Sequence, residues 1–236
     1  DVIGCMSQAN VDYVLKQNNF IESNKMEIFP NAIKPIQHIE NKKKDIEILA
    51  KYDIPTDSTV FIYGGNLGRP QGIDFLMEVI AEFNKVDDAC LIIVGDGTEY
   101  KKLEHFVQRK NLKNAKIFNR LPKEEYDQLM LNADVGLIFL DHRFTIPNFP
   151  SRLLTYLENA IPVLAATDTS TDLKNILKDS QSGFWCESGD LESFIGYAKQ
   201  LSSDKDLRKE MGQNGRKYLE KYYDVTYTVE KLLRHL

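Results

Sequence analysis

Short, wholly apolar runs alternate along this chain with stretches whose apolar positions recur every three or four residues. The runs Val60–Tyr63, Ala89–Val94, Ala115–Phe118, Val135–Leu140, Pro162–Ala166 and Gly183–Cys186 read as strands. Between them, Ile73–Phe83, Glu99–Arg109, Lys123–Leu131, Ser151–Glu158 and Thr171–Lys178 carry the period of amphipathic helices. A strand such as Leu91-Ile92-Ile93-Val94, apolar at every position, suits a parallel sheet covered on both faces. Strands with a helix in each crossover predict a doubly wound, Rossmann-like α/β domain.

The two ends break this rhythm. Asp1–Met6 reads as a strand already under way, Ser7 as the N-cap of a helix to about Gln17, and Lys25–Phe29 as a short strand. Pro30–Pro35 is a proline-bounded connector. A beginning in mid-strand with no initiator Met predicts a fragment of a longer protein. At the other end Asp190–Leu201, Asp204–Tyr222 and Val225–Leu236 read as consecutive helices. Lys205, Arg208, Lys209, Arg216, Lys217 and Lys221 make part of that tail basic, which a solvated helix face explains better than contact with a membrane surface.

Composition narrows the functional classes. With 236 residues the chain can bury a full core, and 42% hydrophobic with 28% charged residues is ordinary for a globular protein. A net charge of −5 argues against nucleic acid as a partner, because a phosphate backbone needs a basic face. Cys5, Cys90 and Cys186 are odd in number and widely spaced, which predicts reduced thiols in a cytoplasmic protein. No run reaches the roughly 18 apolar residues of a membrane span, and no signal peptide is evident.

Candidate chemistry gathers at strand ends. Val60–Tyr63 empties into Gly64-Gly65-Asn66-Leu67-Gly68-Arg69-Pro70-Gln71-Gly72 and then into a helix. Glycines let a backbone approach a ligand, and the first amides of a helix favour an anion, so this loop predicts a phosphate or diphosphate site. Arg69 is the loop's cation and can take two phosphate oxygens at once. Gly95-Asp96-Gly97 closes the next strand, but Tyr100 stands where a dinucleotide fingerprint needs glycine. A tight turn is the better reading there, with Asp96 or Thr98 capping the helix. After Val135–Leu140, Ser151 reads as an N-cap and Arg152 lies in the first turn, where a cation opposes the helix dipole unless an anion docks beside it. His38, His105, His142 and His235 show no metal-binding spacing, so no metal is expected.

The order of these segments, with Asn132-Ala133-Asp134-Val135, Pro150-Ser151-Arg152-Leu153-Leu154-Thr155-Tyr156-Leu157 and Pro162-Val163-Leu164-Ala165, resembles glycosyltransferase family 4. The resemblance covers nearly the whole chain and is to the nucleotide-sugar-binding C-terminal half of a GT-B enzyme. Ser7 and Pro30-Asn31-Ala32 match the segment where such enzymes pass from their first domain to the second. The resemblance therefore implies a remnant of the N-terminal domain and a connector over 1–35, a donor-binding domain over 36–222, and a crossover helix over 223–236. Common members carry Arg and Lys on the glycine loop where this chain has Asn66 and Gln71. Their pair of glutamates would fall on Pro147 and Thr155. The pattern here is similar instead to a bacterial surface-polysaccharide subgroup, which includes transferases of N-acetylated amino sugars from UDP donors.

That resemblance implies a retaining, metal-independent transferase with no cofactor beyond its donor. Candidate catalytic residues are Arg69 and Arg152, which would stabilise the leaving diphosphate. Gly65, Asn66, Gly68, Gln71, Ser151 and Thr155 would contact the donor, and the base would lie near the backbone of Asn119, Arg120 and Leu121. The implied partners are a nucleotide-sugar donor, an N-terminal acceptor domain and, for the full-length protein, the inner face of the cell membrane, with no nucleic acid. The fragment alone would bind donor without transferring it. A nucleotide-binding regulatory module and a UDP-sugar epimerase are the alternatives, and an NAD-dependent oxidoreductase lacks its fingerprint.

Overall fold

In the computed structural model, which describes residues 1–37, 44–110, 112 and 114–235, a small N-terminal unit precedes the main sheet. It comprises β1 (Ile3–Cys5), α1 (Gln8–Gln17) and β2 (Met26–Ile28), with β1 and β2 paired in parallel. Ser7 caps α1 as expected, accepting from the Asn10 amide, and the Asp172 carboxylate accepts from the Ala9 amide at 2.9 Å. The short helix α2 (Ile46–Lys51) was not anticipated: six residues are too few to display a period, yet Asp45 caps it and Ile48 and Leu49 are buried.

The main domain then alternates regularly. Its first half is β3 (Thr59–Gly64), α3 (Ile73–Glu82), β4 (Ala89–Val94), α4 (Tyr100–Lys110) and β5 (Ala115–Phe118). After α5 (Lys123–Leu131) come β6 (Val135–Phe139), α6 (Arg152–Glu158), β7 (Val163–Thr167), α7 (Leu173–Ser180) and β8 (Gly183–Glu187). The tail forms α8 (Leu191–Ser203), α9 (Lys205–Tyr222) and α10 (Val225–Leu233), each N-capped by an aspartate, Asp190, Asp204 and Asp224. The last helix was expected to reach Leu236, which lies outside the described residues.

All six strands of the sheet are parallel, in the order β5-β4-β3-β6-β7-β8. This is the predicted doubly wound, Rossmann-like sheet. One apolar layer packs α3, α4 and α8 on one face through Phe75, Leu76, Leu103 and Phe194. The other packs α2, α5, α6, α7 and α9 on the opposite face through Leu49, Leu129, Leu153, Leu177 and Leu219. Strand residues feed the two layers alternately, Phe61 and Tyr63 to one and Val60 and Ile62 to the other, as the pleat requires.

The N-terminal connector and the tail are tied by backbone bonds: Ile33 donates to Tyr223 O at 3.0 Å and accepts from Val225 N–H at 2.9 Å. Cys5, Cys90 and Cys186 are free thiols. Among the described residues no helix is long and apolar enough to cross a membrane.

Candidate functional site

The chain builds β3, β4 and β5 outward in one direction and then returns to build β6, β7 and β8 in the other. The direction reverses between β3 and β6, the place where open α/β sheets bind ligands beyond their carboxyl ends. The strands also part there. β3 and β4 pair over six residues each, whereas β3 and β6 pair only as Phe61 with Val135 and Ile62 with Gly136. Tyr156 of α6 fills the divergence, its ring against Gly136 and its hydroxyl 3.2 Å from both the Ile62 and Leu137 carbonyl oxygens.

The glycine loop stands above this opening, but it is braced in a way the sequence did not reveal. Gly65 N–H donates to Val94 O at 2.9 Å and Leu67 N–H to Asp96 O at 2.7 Å. Leu67 O in turn accepts from Glu99 N–H at 2.9 Å, and among the described residues no bond from Asp96 or Thr98 side chains caps α4. The loops after β3 and β4 are thus laced together, and Gly97 is needed because a Cβ there would lie 2.6 Å from the Leu67 carbonyl. The amides from Gly65 to Gly68 divide. Those of Gly65 and Leu67 are spent inside the protein, which leaves Asn66 and Gly68.

Arg152 is the pivotal side chain. It opens α6 on one face of the sheet, yet its guanidinium carbon lies 4.3 Å from the ring centroid of Tyr63, a residue of the opposite core layer. The side chain therefore reaches across the carboxyl end of the sheet. Its Nη2 abuts Gly65, which has φ +143° and no room for a Cβ on that side. Its Nη1 is buried and has no hydrogen-bond partner among the described residues, and no carboxylate pairs with the guanidinium there.

The groups around Arg152 are phenols: Tyr63, Tyr126 and Tyr156. Burial pushes all three hydroxyls above the usual phenol range, with Arg152 pulling the other way, so each stays neutral near pH 7. Neutral phenols cannot balance an arginine, which stays protonated. A buried charge without a counter-charge is costly, and an unpaired buried donor calls for an explanation. An incoming anion supplies one.

The other candidate residues are distributed around this centre. The Tyr63 hydroxyl donates to Asn66 O at 2.7 Å and lies 3.3 Å from Gln71 Oε1, so the two positions where the family carries cations are tied to one tyrosine. The Asn66 side chain lies 3.1 Å from a Cβ placed on Gly68. Arg69 sits on a 3-10 turn, Arg69–Gln71, with its side chain 88% exposed and its Nε 3.5 Å from Glu99. The hollow it lines is bounded by Asp74, Glu99, Lys102, Asp141 and Arg143, and Arg152 is not part of it.

Ser151 adopts helical dihedrals and caps no amide, contrary to its expected role; Pro150, which has no N–H, precedes it. Thr155 lies one turn after Arg152, half-buried, and Pro147 gives its carbonyl to Asn10 Nδ2 at 2.9 Å. Asn119 and Arg120 are exposed beyond β5, where Asn119 Oδ1 accepts from the Arg120 amide at 2.6 Å, and Leu121 packs on the core. Of the histidines, His38 lies outside the described residues.

Sequence reading missed the three tyrosines. Tyr63 left a signal as a polar-tipped residue ending an apolar run just before the glycines, and Tyr156, one turn after Arg152 on α6, stood only as part of the family pattern. Tyr126, on α5, reaches the site only through tertiary packing.

Residues 44–218 match the family model described as "Glycosyl transferases group 1". The chain belongs to this family. Group 1 relatives include N-acetyl-alpha-D-glucosaminyl L-malate synthase of Bacillus anthracis, 23% identical over 74% of this chain and 44% of that protein. The probable glycosyltransferase WbjE of Pseudomonas aeruginosa is 24% identical over 73% of this chain and 42% of its own length. The chain thus spans less than half of the relatives it matches. The crystal structure of Anabaena Alr3699/HepE in complex with UDP and glucose superposes with a TM-score of 0.76 at 17% identity, covering 99% of this chain and 62% of that one. At that identity the likeness shows the fold, a GT-B glycosyltransferase's Rossmann-like half, as the group 1 assignment requires.

Proposed function

We propose that this chain is the donor-binding half of a bacterial glycosyltransferase and holds the diphosphate of a UDP-linked sugar above the parting of β3 and β6. The observation that carries this reading is Arg152, whose guanidinium has one buried, unpartnered nitrogen and, among the described residues, neutral phenols around it. When the sugar–phosphate bond breaks, negative charge grows on the leaving diphosphate. A fixed cation in a water-poor recess stabilises that charge without reorganising. Charge-assisted bonds from Arg152, the free amides of Asn66 and Gly68, and Arg69 at the rim share this work.

The base lies near Asn119, Arg120 and Leu121 at the end of β5. From there to the gap between β3 and β6 is about 12 Å at roughly 4.8 Å per strand, a distance a nucleoside joined to a diphosphate bridges. The acceptor, a polysaccharide or lipid-linked sugar, is bound by a domain preceding residue 36, and transfer proceeds with retention. The choice of UDP draws on the likeness to the complex of HepE.

Pro147 and Thr155, standing where the family's acid pair is expected, favour a second reading: a nucleotide-binding regulatory module without chemistry. Assay of the full-length protein with a lipid-linked sugar acceptor separates the two. Donor binding itself is tested by calorimetry with UDP. Saturable heat supports the reading, and no heat at millimolar UDP overturns it.

A further inference from the structure

The Arg152 recess contains a second group with no assignment. Tyr126 lies on α5, which crosses from β5 to β6, and packs, half-buried, against the core layer on that face. Its hydroxyl is pressed over Gly64, the last residue of β3, so closely that no Cβ would fit there. The next residue, Gly65, is the one that Arg152 Nη2 abuts, so hydroxyl and guanidinium stand over adjacent residues of the same strand end.

Tyr63 and Tyr156 both place their hydroxyls on backbone carbonyls, Asn66 O for one and Ile62 and Leu137 O for the other. Tyr126 differs from them. Among the described residues no hydrogen bond engages its hydroxyl. The residue is half-buried but its hydroxyl is not sealed from solvent, so a ligand can reach it. Burial keeps this phenol protonated, so it is a proton donor at the same strand end as the Arg152 guanidinium. Donor and cation together make a receptor for a single phosphate oxygen.

We infer that the Tyr126 hydroxyl is a ligand-binding group, donating a hydrogen bond to the phosphate that Arg152 holds. The inference rests on the donor-binding reading above.

The test is titration of the chain with UDP and, separately, with inorganic pyrophosphate, for the wild type, Tyr126→Phe and Arg152→Met. Melting temperatures report whether Tyr126→Phe folds as the wild type does, which its intact ring packing predicts. A lost hydrogen bond to a charged group weakens binding about tenfold or more, and the same loss is expected for pyrophosphate, which has no base or ribose. Wild-type UDP binding that Arg152→Met weakens and Tyr126→Phe leaves unchanged overturns the Tyr126 assignment while the donor site stands. Absence of UDP binding by the wild type overturns both.

Discussion

Replacing Arg152 by Met separates stability from binding. Met keeps an unbranched apolar stem of similar length and removes the charge. An ion buried without a counter-ion costs several kcal/mol even after relaxation. The contact with the Tyr63 ring at 4.3 Å returns about 2 kcal/mol of that. The substitution is therefore expected to raise the stability of the unliganded chain by about 1 kcal/mol, a rise in Tm of about 2–4 °C for a domain of this size. Binding moves the opposite way. Two charge-assisted bonds to a diphosphate, at about 1.5–3 kcal/mol each, amount to a loss of about 10²- to 10⁴-fold in UDP affinity. Differential scanning calorimetry and UDP titration of the same preparation read both quantities. A lower Tm with unchanged UDP affinity would refute the reasoning, because Arg152 would then be a structural cation.

Three further outcomes follow from the geometry. Arg69→Ala should shift stability by less than about 0.5 kcal/mol, since its side chain is 88% exposed, and should weaken UDP binding less than Arg152→Met does in parallel titrations. Tyr156→Phe, which removes the hydroxyl lying between the Ile62 and Leu137 carbonyls, should cost about 1 kcal/mol in urea unfolding without a change in slope. Asp141 is held below the usual carboxylate range by the Arg143 side chain, 2.7 Å away, so its stabilisation is complete above about pH 4 and fades as pH falls through the lowered value. Urea midpoints of wild type and Asp141→Asn should accordingly differ at pH 7 and converge in strong acid.

The sheet was legible because strands buried on both faces leave unbroken apolar runs. The expected Ala89–Val94 and Ala115–Phe118 coincide with β4 and β5, and β3 extends its expected run by one residue at each end. Short elements left no such trace, as α2 shows, and the polar ends of the helices shifted by a residue or two. The placement of the glycine loop after β3 and of a cation opening α6 was legible too. The site's internal wiring was not. That the Gly65 and Leu67 amides are consumed by the neighbouring loop depends on β3 and β4 lying side by side in register. That Arg69 points to Glu99 while Arg152 crosses the sheet edge depends on where the strands part. Both are tertiary facts with no local signature.

The most direct test of the central claim is a crystal structure of the chain with UDP bound. A diphosphate oxygen about 2.7–2.9 Å from Arg152 Nη1, filling the position now without a partner, is the predicted result. UDP bound elsewhere, with Nη1 still unpartnered, would contradict it.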